Sequence, residues 1–135
     1  MDILQKSIAR NMFHLQIYEA DGQNFEDIFS KIMNYKNDDF QQVSPYGRIG
    51  DRKNDGWIPS EGTYFQVYAP FNLQKSIKDA VAKLQTDFAG LFLNWDHLVK
   101  IRKFHFVIND KFKGVPPNLH EEVSLIKNNN QLEDA

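Results

Sequence analysis

The chain has 135 residues, of which 41% are apolar and 25% charged, with a formal net charge of −2 and no cysteine. That length suits one domain of about 100–150 residues, the apolar share is enough for a core, and disulfides and thiolate metal sites are excluded. No apolar run approaches the ~20 residues of a membrane helix, the first residues lack a signal-peptide pattern, and a cytoplasmic location is expected.

Leu4, Ile8, Met12 and Leu15 recur at helical steps and predict a helix over 3–17. Asp21-Gly22 breaks it. Asn24 is the expected N-cap of a second helix, with Glu26 and Asp27 in its first turn, where the helix dipole favours negative charge. Phe25, Ile28, Phe29, Ile32 and Met33 form its apolar stripe, and Asn37-Asp38-Asp39 ends it. A short strand over 40–43 follows, then a hairpin made of Trp57-Ile58, a turn at Pro59-Ser60-Glu61-Gly62, and an alternating strand from Thr63 to Tyr68.

Asn72 is expected to cap a long helix to about Phe92, burying Leu73, Ile77, Val81, Leu84, Phe88 and Leu91. Residues 101–108 alternate as a strand, and Asn118 can cap a last helix over 119–127. The polar end, 128–135, is expected to fray as a flexible tail, leaving 1–127 as a single domain. The order α-α-β-β-β-α-β-α, with a right-handed crossover through the long helix, predicts an α/β sandwich around a mixed sheet of about four strands.

A hairpin turning on Ser60-Glu61 places Asp55 opposite Gln66, with Tyr68 two residues further along the same face. A carboxylate beside a carboxamide can hold a divalent cation. The plainer alternatives stand beside this reading. Asp55-Gly56 is also a common way to start a strand, Gln66 suits a solvent-facing strand surface, and Tyr68 suits packing at the sheet's end. Arg48, Arg52 and Lys53 give this segment a local positive charge, although the net charge of −2 argues against a broad basic surface. His14, His97, His105 and His120 show no ligand spacing, so a zinc site is not expected.

The text GRIGDRKNDGW…YFQVYAP resembles the Mrr-type branch of the PD-(D/E)XK restriction-endonuclease-like superfamily. The same text, with FHFVIND and VPPNL, is similar to a domain of bacterial multi-component anti-phage defence proteins. The resemblance implies the αβββαβ core of that fold, a metal-dependent nuclease acting on DNA, and Mg2+ or Mn2+ as cofactor. Asp55 would match the metal-binding aspartate, Gln66 the acidic or amide position of the next strand, and Glu26 the glutamate of the preceding helix.

The lysine such a site needs two residues after Gln66 is replaced by Tyr68, whose ordinary pKa of ~10 gives it no fixed positive charge. Either another cation replaces it, with Lys53 the first candidate, or the site does not cleave. Asp51 is a further candidate ligand. The alternative function is a catalytically inactive module of the same fold that binds nucleic acid or another defence-system protein. An exposed sheet edge would also favour a homodimer.

Overall fold

The computed structural model describes residues 2–43, 53–73 and 76–135. Arg48, Asp51 and Arg52 lie outside the described residues. Helix α1 spans Ile3–Glu19 and starts in a capping box, in which the Asp2 side chain accepts from the Gln5 N–H and Gln5 reaches back to the Asp2 N–H. Helix α2 spans Gly22–Lys36 with Asp21 at its N-cap. It begins two residues before the expected cap at Asn24, so Glu26 lies beyond the first turn. Strand β1 is only Gln41–Gln42, and β2 is Gly56–Ile58.

A 3-10 turn at Pro59–Glu61 leads to Gly62, whose φ of 66° is left-handed. A Cβ there would stand 2.6 Å from the Lys100 carbonyl oxygen, so glycine is required both for conformation and for space. The Gly62 carbonyl also accepts from Arg102 and Lys103, tying the hairpin turn to the start of a later strand. Strand β3 is Thr63–Tyr68, α3 is Ile77–Trp95, β4 is Lys103–Ile108 and α4 is Pro117–Asn129.

The sheet order is β1-β2-β3-β4. The first three strands form an antiparallel meander, and β4 returns through α3 to lie parallel to β3. The hairpin register pairs Ile58 with Thr63, Trp57 with Tyr64 and Gly56 with Phe65. The ladder ends there: Asp55 donates its N–H to the Phe65 carbonyl, one residue out of that register, so the expected pairing of Asp55 with Gln66 is not part of the ladder.

Alternation along β3 sends its side chains to two different cores. Tyr64 joins Leu84, Phe88, Leu91 and Phe104 beneath α3 and α4. Phe65 and Val67 face α2, packing with Phe29, Phe25, Phe40 and Ile58. The strand is buried on both faces, so only Tyr68 of its six residues escapes the buried class. The solvent-facing surface considered for Gln66 therefore does not exist.

The residues expected to fray dock instead. Gln131, at a left-handed φ of 54°, turns the chain after α4, and Leu132 enters the main core. Glu133 N–H donates to the Arg102 carbonyl at 2.7 Å, Phe104 N–H donates to the Asp134 carbonyl at 3.0 Å, and Asp134 bridges Lys103 in parallel. One apolar residue and three backbone groups hold the polar end, covering the first half of the β4 edge.

His105 lies on the α2 face, stacked on Phe65 with ring centroids 5.3 Å apart. Desolvation holds its pKa below 6.5; Asp134 opposes that shift and Lys103 adds to it. Between the depressed folded pKa and the ordinary value, the unfolded chain binds more protons, so stability rises with pH through that window and is fully present above about 6.5. We therefore expect the melting temperature to fall as pH drops from 7 towards 5.5, with a smaller drop in His105→Asn. Equal slopes in a thermal scan of the two proteins would remove His105 as the cause.

Candidate functional site

The chain leaves the β2–β3 ladder at Asn54 and Asp55, just after Lys53, whose φ of 69° is left-handed. Side chains take over where backbone pairing stops. Asn54 Oδ1 accepts from the Gly56 N–H at 3.2 Å, a local turn typical of asparagine. Asp55 donates its N–H to the Phe65 carbonyl at 3.1 Å, and its Oδ2 accepts from the Val67 N–H at 2.7 Å. The Asp55 carboxylate thus stands in for the carbonyl that a continuing strand would present to Val67. The strand-starting role of Asp55 has an explicit structural form here.

Gln66 points towards α3. Its Nε2 donates to Asp87 Oδ2 at 3.0 Å, while its Oε1 is buried with no hydrogen-bond partner among the described residues. Asp87 is only 2% exposed, on the buried face of α3, where an ionised carboxylate needs pairing to persist. Two ammonium groups reach it: Lys53 Nζ lies 3.4 Å from Oδ1 and Lys83 Nζ 2.8 Å from Oδ2. Both lysine side chains keep solvent contact, being 47% and 34% exposed.

Lys83 Nζ also stands 5.6 Å from the centre of the Tyr68 ring, within cation–π range. The Tyr68 phenol is pushed above its ordinary pKa, first by burial and then by Asp79 and Asp87. At neutral pH it is an uncharged hydroxyl, unable to act as a base. The position expected to carry a strand lysine thus has a cation close by, supplied from α3.

The predicted residues are only partly brought together. Gln66, Tyr68 and Lys53 meet around Asp87, while Asp55 is bonded to the backbone of Phe65 and Val67. Glu26 is on α2, which packs on the Phe65–Val67 face, across the sheet from the Gln66–Asp87 pair.

Asp87 and Lys83 were not singled out from the sequence. The signal was present: Asp87 interrupts the helical stripe of Ala80, Leu84 and Leu91, and Lys83 sits four residues before it, a spacing that pairs side chains on a helix.

Among the described residues the donor set does not match a divalent-cation site in this arrangement. Asp87 is engaged at both oxygens, Asp55 holds the Val67 N–H, and Glu26 is on α2, across the sheet. Among the described residues no group of three His, Cys, Asp or Glu side chains converges. A cation joining Asp87 would also face two ammonium groups, at about 4 kcal/mol of repulsion per unit-charge pair for a ~4 Å separation and an effective dielectric of 20. Gln66 Oε1 is the one buried acceptor here without a donor.

No family model, curated protein or solved structure matches the chain. Among the described residues, no helix is long and apolar enough to cross a membrane.

Proposed function

We propose that this chain is a restriction-endonuclease-like module of a bacterial defence system that engages DNA through Lys53 and Lys83 and is impaired in metal-dependent cleavage. The observation that carries the reading is the Asp87 clamp. Two half-exposed ammonium groups converge on one buried carboxylate at the end of the sheet where the resemblance locates a nuclease site. Lysines held this way stay oriented and keep solvent-facing donors for a phosphate, which they contact as point charges. The same two charges oppose a divalent ion and so weaken cleavage chemistry.

The second reading is a working Mg2+ or Mn2+ nuclease. It is favoured by the unpartnered Gln66 Oε1 and by Lys83 above Tyr68, a cation close to where the strand lysine would act.

Fluorescence anisotropy with labelled duplex DNA at low salt, together with plasmid nicking in millimolar Mg2+ or Mn2+, separates the two. Lys53→Ala/Lys83→Ala is expected to weaken DNA binding at least tenfold, and wild type is expected to nick at no more than background. Unchanged binding in the double variant rejects the DNA-binding assignment. Nicking by wild type that disappears in Gln66→Ala establishes the second reading instead.

A further inference from the structure

Helix α1 carries apolar side chains on two opposite sides. At about 100° per residue, Phe13, Ile17 and Ala20 point one way, and Leu4, Ile8 and Leu15, flanked by Met12 and Tyr18, point roughly 170° away. The first side meets the body: Ile17 and Ala20 pack with Phe25 and Val67, and Phe13 lines a cavity of about 620 Å³ against α2. Among the described residues the second side is largely uncovered; at its edge, Lys111 Nζ stands 5.8 Å from the centre of the Tyr18 ring. Among its members Leu4 is 68% exposed, Ile8 50%, Met12 68% and Leu15 57%. No residue of the 17-residue helix is buried, which is unusual for an element so rich in apolar side chains, because packing rather than propensity normally stabilises a helix in water.

We infer that the Leu4–Ile8–Leu15 face of α1 is a homodimer interface, occupied by α1 of a second copy of this chain. Area is the first argument for that occupant. Five large apolar side chains on this face, Leu4, Ile8, Met12, Leu15 and Tyr18, are 48–68% exposed and together offer on the order of 500 Å², so that two copies reach the ~1,000 Å² total of a specific interface.

Spacing is the second. Leu4, Ile8, Asn11, Leu15 and Tyr18 follow alternating four- and three-residue steps, the repeat of a helix seam that pairs with its own kind. Asn11 is the one polar position within that seam. Charge is the third. Lys6 and Arg10, the basic residues of α1, lie off the seam, the one charged residue on this side, Glu19, is the last of the helix, and uncharged cores distinguish interfaces from ordinary surface. A second copy satisfies all three conditions with one patch, since a two-fold interface uses the same residues on both sides. Dimerisation by this face does not use the Asp87 cluster, so it does not depend on the reading proposed for that site.

Light scattering coupled to size exclusion at 5–100 µM is expected to give twice the 15.8 kDa chain mass for wild type. Leu4→Glu/Ile8→Glu should run as a monomer with the far-ultraviolet spectrum of the core preserved, because neither side chain touches the body. The chain has no cysteine, which permits a second readout. Asn11→Cys should form an interchain disulfide on mild oxidation, whereas Lys31→Cys on α2 should not. A monomeric wild type over the whole range overturns the inference, as does a dimer that persists in the Leu4/Ile8 variant.

Discussion

Replacing both Lys53 and Lys83 by methionine is expected to lower the free energy of unfolding by about 3 kcal/mol. The carboxylate of Asp87 would remain 2% exposed with the Gln66 amide as its one remaining donor among the contacts described. A buried charge stripped of its partners typically costs 3–5 kcal/mol. The lower end applies because Gln66 stays and α3 can shift slightly to admit water. The lysines themselves give up little hydration, being 47% and 34% exposed, so each pair taken alone is worth no more than about 1 kcal/mol.

Each single replacement should therefore cost about 1 kcal/mol, and the double clearly more than the sum, since the second removal takes away the last cation. Adding Asp87→Asn to the double variant should restore most of the loss by removing the unpaired charge. Urea unfolding of wild type, the two single variants, the double and the triple, followed by Trp57 and Trp95 fluorescence, completes the cycle. Additive losses, or a triple variant no more stable than the double, would mean that the cluster is not coupled as described.

That cluster also marks where the sequence was legible. Periodicity locates elements that bury one face, and for the hairpin and β3 it works to the residue. Gly62 forces the turn, and the turn forces the register that pairs Trp57 with Tyr64 and Gly56 with Phe65. The starts of α2 and α3 are displaced from the expected caps at Asn24 and Asn72: Asp21 and Ser76 hold the N-cap positions without a side-chain cap bond, Asp21 pairing with Lys111 instead. The last residues mislead by composition. Four consecutive amides suggest solvent, but Leu132 and Ala135 pack on the main core and return the chain to β4, where the edge offers backbone partners.

The site was half legible for a different reason. Strand alternation shows that Gln66 shares a face with Tyr64 and Tyr68, yet it cannot show which helix covers that face. Once α3 does, the only carboxylate in its buried stripe becomes Gln66's partner, and Lys83 follows by helical spacing. Asp55 carries the opposite lesson. Pairing arithmetic treats the residue as a side chain on a ladder opposite Gln66, whereas the ladder has already ended there and Asp55 bonds Phe65 and Val67 instead.

Asp55→Ala is accordingly expected to cost about 2–3 kcal/mol of stability, in the presence or absence of divalent metal. The substitution deletes a 2.7 Å bond from a buried carboxylate to the Val67 N–H, and hydrogen bonds involving a charged group contribute about 1.5–3 kcal/mol. It leaves a backbone donor without an acceptor in a strand covered on both faces, where water cannot substitute. The effect should be local before it is global. Hydrogen exchange at Val67 should accelerate more than at Gln66, whose neighbouring pairing with β4 is intact. Asp55→Asn retains an acceptor oxygen of similar reach and should cost about half as much. A residue serving only as a metal ligand would behave in the reverse way, since its removal relieves an unbalanced charge and leaves the apo protein equally or more stable. An Asp55→Ala protein with wild-type midpoint and unchanged Val67 protection would return Asp55 to that role and disprove its part in starting β2.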